Sequence, residues 1–233
     1  MKKYEIIILS GGKGTRIRKF TKKTPKCLID INGKPFLYYQ LRYLKKYGIK
    51  KVILSVGYKS KEVSNYVKNN INFIEVKIVN DGKIPLGTGG AILKSMKFLK
   101  NNFFILYGDS YLNFDLNKLR SIKNRSIMAI YKNKNKNDKS NIKIIDSNYI
   151  HYFKNTSKLK LSYIDYGISF LNKKIFRGLD FNRRFDLSSL FDKVSKKSQL
   201  HGLIVKKRFY EVGSYNGIKE LKKYLKNEFF KKI

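Results

Sequence analysis

Apolar runs and amphipathic stretches alternate along the first half of the chain. Residues 4–9 form an Ile-rich run bounded by glycine, which predicts a strand covered on both faces. A helix is predicted from Pro35, with Leu37, Leu41 and Leu44 at i, i+4 and i+7 and Gly48 at its end. Strands at 51–56 and 74–79 enclose a helix at 60–69, and this β-α-β-α-β order predicts a parallel sheet with right-handed crossovers. A strand is also expected at 25–31, followed by the turn Asn32-Gly33. A helix opening at 85–91 carries Ile92, Met96 and Leu99, and strands at 103–107 and 126–131 follow.

Residues 132–139 lack hydrophobic periodicity and read as a mobile surface loop, with a hairpin expected at 141–145 and 149–154. The strand at 162–171 is interrupted by Asp165-Tyr166-Gly167, polar groups where a strand is normally apolar. A helix at 187–194, a strand at 200–206 and a terminal helix complete the pattern. Ser214 is the candidate N-cap of that last helix, and Ile218, Leu221 and Leu225 share one of its faces. The fold class predicted is α/β and Rossmann-like: a mixed, mainly parallel sheet sandwiched by helices in one domain over 1–233.

Composition changes this picture at one point. The formal charge is +36, from 52 Lys and Arg against 16 Asp and Glu, a balance that suggests polyanionic partners. The cations are scattered over every segment and accompany abundant Asn and Ile, so a solvated surface is expected and no specific nucleic-acid site. No stretch approaches the roughly 18 apolar residues of a membrane span. The N-terminus enters a strand at once, without the apolar region of a signal peptide, which makes the cytoplasm the expected compartment. One cysteine, Cys27, excludes an internal disulfide, and two histidines make a Cys/His zinc site improbable, so a metal would be held by oxygen.

The chemistry concentrates in two glycine-rich turns and three acidic positions. Ser10-Gly11-Gly12-Lys13-Gly14-Thr15-Arg16 follows the first strand; its glycines let backbone N–H groups approach a ligand, and Arg16 adds donors that match phosphate oxygens. It is neither a Walker A loop nor the dinucleotide fingerprint, because Gly14 follows Lys13 and no third glycine has the required spacing. Gly87-Thr88-Gly89-Gly90 opens a helix. It reads either as a second set of unpaired N–H donors or as a tight turn with close helix packing. Asp109, behind Gly108 at the end of an apolar strand, is placed for a magnesium ligand or for a helix N-cap.

Taken in order, the G-G-x-G-T-R turn, Pro25-Lys26, Leu86-Gly-Thr-Gly-Gly-Ala91, Gly108-Asp109, Asp165-Tyr-Gly167 and Glu211-Val-Gly213 resemble the sugar-1-phosphate nucleotidyltransferases. The likeness is strongest to short bacterial members that act with GTP on heptose or mannose 1-phosphate. It implies a nucleotide-binding half at about 1–131 and a sugar-binding part with the C-terminal helix at about 140–233. It implies that Ser10, Gly11, Gly12, Gly14, Thr15, Arg16, Gly87, Thr88 and Gly89 bind the NTP, and that Lys26, Asp165, Tyr166 and Gly167 bind the sugar phosphate. Arg16, Lys26 and Asp109 would be catalytic, with Asp109 and Glu211 holding Mg2+. The expected partners are an NTP and a sugar 1-phosphate, in a monomer or small homo-oligomer.

Three positions depart from the family pattern. Glu211 stands where aspartate is usual, no Glu-Lys pair is evident near Phe153-Lys154, and Asn80-Asp81-Gly82-Lys83-Ile84 replace the Gln or Glu that often helps to read the base. GTP is placed ahead of UTP and CTP. A UTP-using N-acetylmuramate 1-phosphate enzyme, a phosphocholine cytidylyltransferase and a silent nucleotide-binding member are the alternatives.

Overall fold

In a computed structural model, residues 4–82, 84–120, 125–133, 138–146, 148–156, 159–179 and 184–230 are described. Their main sheet has nine strands: β1 Ile6–Ser10, β2 Lys51–Val56, β3 Glu75–Asn80, β4 Asn102–Tyr107, β5 Ser126–Lys132, β6 Ile142–Ile144, β7 Ile150–Tyr152, β8 Tyr163–Asn172 and β9 Leu200–Val205. Five longer helices accompany them: α1 Phe36–Lys46, α2 Ser60–Asn70, α3 Gly87–Ser95, α4 Leu187–Ser195 and α5 Tyr215–Phe230.

The order across the sheet is β7-β6-β8-β4-β1-β2-β3, with β5 beside β8 and β9 beside β5. β4, β1, β2 and β3 are mutually parallel, and β5 and β9 form a further parallel pair. β8 runs antiparallel to both β4 and β5 and so joins the early and late parts of the chain in one sheet.

Alternation of side chains explains why the parallel strands are continuous apolar runs. Ile6 and Ile8, Val52, Leu54 and Val56, and Phe104 and Leu106 pack on one face with Leu37, Leu41 and Leu44 of α1 and Val63 and Val67 of α2. Ile7, Ile53, Phe103 and Ile105 face the other side, against Ile92 and Leu93 of α3 and Leu187, Leu190, Phe191 and Val194 of α4. Both faces are buried, so neither requires polar positions. A third cluster, including Ile17, Ile29, Ile31, Phe36, Val212, Ile218 and Leu221, seats α5 beneath the first glycine loop.

Two expectations are corrected. Residues 25–31 do not form one strand: Lys26–Leu28 is a 3-10 turn, and only Asp30–Ile31 pairs, with Lys34–Pro35. Pro25 supplies no N–H, and Cys27, Ile29 and Ile31 are buried against the interior instead of a strand neighbour. The loop expected at 132–139 also starts late. Lys132 ends β5, and Asn133 is buried, its backbone N–H donating to Ser162 O and its amide to Asp138 O. Residues 134–137 of that loop lie outside the described residues. Among the described residues, no helix is long and apolar enough to cross a membrane.

Candidate active site

The carboxyl ends of β1, β2, β3 and β4 lie side by side, and the loops leaving them build the site. The loop after β1 is fastened through its carbonyls: Gly11 O accepts from Tyr58 N–H, and Gly14 O accepts from Ile17 N–H and the Thr21 hydroxyl. Gly14 is left-handed, with φ 62°, which starts the short helical turn bearing Arg16. Beside this loop is a cleft of about 380 Å³, bordered by Ser10, Gly11, Gly12, Lys26, Asp81, Gly87, Thr88 and Asp109. Leu9, Pro85, Leu86 and Ala91 supply apolar wall. Cys27 also borders this cleft, but its thiol is buried and pushed up to about 12, which leaves it protonated and inert.

A second cleft, of about 560 Å³, is bordered by Arg16, Lys154, Asp165, Gly167, Arg208 and Glu211, among others. Tyr107 and Asp109 line both clefts. The turn holding Asp109 is clamped by the buried Gln40 of α1, whose amide donates to Tyr107 O at 3.0 Å and Ser110 O at 2.9 Å. Gly108 lets it approach β1, since a Cβ there would collide with Ser10 Oγ and Leu9 O.

Three charged groups converge on Asp109. Lys26 Nζ donates to Asp109 Oδ2 at 2.9 Å. A short antiparallel ladder pairs Ser110–Tyr111 with Tyr210–Glu211, and Val212 N–H donates to Asp109 O at 2.9 Å, which ties Glu211 to the Asp109 turn. A Cβ placed on Gly213 would lie 2.8 Å from Glu211 Oε2, 3.3 Å from Arg16 Nη2 and 3.4 Å from Asp109 Oδ2. Two carboxylates and a guanidinium therefore surround one point. Glu211 also accepts from Gly213 N–H and the Ser214 hydroxyl at the start of α5, where the helix dipole favours negative charge. Ser214 caps that helix as expected, accepting from Gly217 N–H at 2.9 Å.

The expected site residues divide accordingly. Ser10, Gly11, Gly12, Gly87 and Thr88 reach the first cleft, whereas Gly14, Thr15 and Gly89 do not border it. Lys26 borders the first cleft and Arg16 the second. Asp165 and Gly167 border the second cleft, but Tyr166 points to the opposite face of β8, fully buried, its hydroxyl accepting from Asn113 N–H. Two donors of the second glycine turn are taken within the fold. Gly89 and Gly90 N–H both donate to Phe185 O, the Thr88 hydroxyl accepts from Leu187 N–H, and a Cβ on Gly89 would overlap the Phe185 ring. Close packing of the segment before α4 is what these glycines permit.

Asp165 is the most perturbed carboxyl of the second cleft. Burial pushes it from 3.8 up to about 6, although Gly167 N–H at 2.8 Å and the Tyr107 hydroxyl at 2.7 Å hold it back. Gly167 has φ 91°, and a bulge between Asp165 and Ser169 marks the place where β8 passes Ser110.

Residues 5–216 match the family model described as nucleotidyl transferase. The chain belongs to the nucleotidyl transferase family. Curated relatives include the D-glycero-alpha-D-manno-heptose 1-phosphate guanylyltransferases of Campylobacter jejuni, 34% identical over 90% of this chain and 94% of that one, and of Aneurinibacillus thermoaerophilus, 32% identical over 96% and 99%. HddC from Yersinia pseudotuberculosis, solved in complex with GMP-PN, superposes with a TM-score of 0.80 at 25% identity, covering 95% of this chain and 99% of that one.

Within this nucleotidyl transferase, two site residues gave no sequence signal of their own. Gln40 reads as one more position of an amphipathic helix, and only the sheet's closure brings its amide to the Asp109 turn. Tyr107 is the last apolar position of a strand, yet its hydroxyl meets Asp165 from 58 residues away. Asp81 follows β3 and is buried in the first cleft. A carboxylate directly after a parallel strand was the available signal, the same one that singled out Asp109.

Proposed function

We propose that the enzyme transfers a nucleoside monophosphate from GTP to a heptose- or mannose-type sugar 1-phosphate, releasing pyrophosphate. The observation carrying this reading is that two clefts, one bordered by a phosphate-type glycine loop and one by polar groups of β8, meet at Asp109. The nucleotide occupies the first cleft, with its phosphates against the glycine loop, and the sugar phosphate occupies the second. A phosphate monoester oxygen then attacks the α-phosphorus in line with the departing pyrophosphate. That oxygen is already ionised, so positioning and charge stabilisation dominate and no general base is needed.

Lys26 and Arg16 flank Asp109 from the two sides and meet the charge that builds on the transferred phosphate. Gln40 keeps the Asp109 turn in place. Family members generally use a divalent metal, and the residues here fit Mg2+: Asp109 already accepts a cation, the Lys26 ammonium, and Glu211 reaches the same point beside Gly213. One or two carboxylates with substrate phosphates are the ligands this ion ordinarily takes, and it would neutralise the triphosphate. The guanylyltransferase relatives support GTP and a heptose.

A pyrophosphate-release screen tests the proposal, with GTP, UTP, CTP, ATP and dTTP each supplied against a panel of sugar 1-phosphates and Mg2+. Release is expected to be fastest with GTP and D-glycero-α-D-manno-heptose 1-phosphate. Release with phosphocholine and CTP, or with no sugar 1-phosphate, would replace this reading.

A further inference from the structure

A third cleft, of about 650 Å³, opens beside α4, and the proposed reaction does not use it. Lys154, Arg184 and Lys193 border it, and Asp186 is the one carboxylate among its described lining residues. The sequence of α4 builds one wall: Asp186 is the N-cap residue, Ser189 lies three positions on and Lys193 four beyond that, which puts all three on one side of the helix. Lys154 comes from the segment after β7 and donates to Ser189 Oγ at 2.9 Å. Arg184 and Lys193 are exposed and form no ion pair or hydrogen bond among the described residues.

Three cations against one carboxylate give this concavity a positive field, which its walls focus. The Ser189 hydroxyl accepts from Lys154, so its own proton remains to donate to an acceptor in the cleft. It stands in the first turn of a nine-residue helix, where the dipole favours negative charge. The Arg184 guanidinium adds a planar fork that matches two oxygens of one phosphate. The cleft is larger than a phosphate alone fills, and Leu179 and Leu190 offer apolar surface for the body of a small ring. We propose that the third cleft binds a phosphorylated sugar as an effector, and that its occupancy weakens nucleotide binding in the first cleft.

The link is Phe185-Asp186, which lies between the two clefts; the coupling rests on the nucleotide occupying the first. Phe185 N–H donates to Leu86 O at 3.2 Å, Phe185 O accepts from Gly89 and Gly90 N–H, and Leu187 N–H donates to the Thr88 hydroxyl at 2.8 Å. Leu86, Gly87 and Thr88 are wall of the first cleft, and a Cβ on Gly87 would collide with Phe185 O, so the contact has no slack. Asp186 borders both clefts, and its carboxylate makes no capping bond to α4 and is free to turn. An anion in the third cleft repels this carboxylate toward the first, where it opposes the triphosphate. By linkage, the nucleotide weakens the effector by the same factor.

Calorimetric titration of the full chain with glucose 6-phosphate, in about 0.15 M salt with Mg2+, tests this without turnover. Saturable binding is expected, with a Kd that rises about tenfold and then levels off as GTP is raised to saturation. Unphosphorylated glucose is expected not to bind. Arg184→Glu combined with Lys193→Glu, both at exposed positions, is expected to weaken binding by about ten- to a hundredfold, whereas Lys61→Glu combined with Lys68→Glu, on α2 at the other face of the sheet, should leave it unchanged. Lys154 is left intact because it also borders the second cleft. No binding at this salt, or an equal loss in the two double variants, would reduce the cleft to diffuse surface charge and overturn the inference. Binding that survives Arg184→Glu with Lys193→Glu would place the sugar phosphate in the second cleft and overturn it too. So would an apparent Kd that climbs without limit as GTP is added, the mark of competition for the first cleft, and a Kd that GTP leaves unmoved would overturn the effector role. None of these readouts uses pyrophosphate release, so failure of the proposed reaction would show separately.

Discussion

Lys26 and Arg16 approach Asp109 from opposite clefts, and their placement decides what each substitution removes. A cation at the reacting phosphate binds the transition state better than either substrate, so its loss appears in turnover. Lys26→Ala and Arg16→Ala are each expected to lower kcat by roughly one to two decades, from about 1.5–3 kcal/mol for a charged hydrogen bond, with smaller changes in KM. An effect confined to the KM of one substrate in initial-rate measurements would assign that cation to one cleft. Asp165 offers a pH test. Its carboxyl is raised from 3.8 to about 6 by burial, so the folded chain holds its proton more tightly than the unfolded chain. The associated stability is fully present below about pH 4 and is lost as pH rises through 6, amounting to roughly 3 kcal/mol. Denaturant unfolding of Asp165→Asn should lack this decline between pH 4 and 7; an unchanged slope would show that other groups cause it.

Elements read well from sequence where local pattern and tertiary role coincided. β1, β2 and β4 are buried on both faces, and that burial is itself an apolar run, so their positions were legible. The stretch 25–31 was apolar for another reason, because a 3-10 turn and two paired residues bury the same side chains without a ladder. The Gly87–Gly90 turn was legible as a close approach but not as to what approached, since Phe185 comes from nearly a hundred residues later. This contact predicts that Gly89→Ala, whose methyl would overlap the Phe185 ring, destabilises the fold by about 1–3 kcal/mol and loosens α3 from α4. Thermal and denaturant unfolding would register it; a neutral substitution would mean that the ring has somewhere else to go.

At the scale of the whole molecule, the antiparallel insertion of β8 between β4 and β5 was the least legible feature, because pairing across such separations is set by packing and not by local pattern. The site was more legible. Asp109, Arg16 and Glu211 each carried a local signal, but their meeting around Gly213 needed α5 to fold back on the Asp109 turn. The +36 charge is proposed to be a diffuse solvated surface, so binding to random duplex DNA is expected to be weak and to vanish at moderate salt. Nanomolar binding at physiological salt would indicate a dedicated nucleic-acid site.

The central claim is that both substrates react where the two clefts meet at Asp109. Pyrophosphate release by Asp109→Asn, at saturating GTP, sugar 1-phosphate and Mg2+, tests it most directly, because the substitution keeps the side chain's shape and removes its charge. A fall in kcat of about a thousandfold, from some 4 kcal/mol of lost transition-state stabilisation, is predicted with the fold intact by circular dichroism. Turnover within tenfold of the wild type would contradict the account.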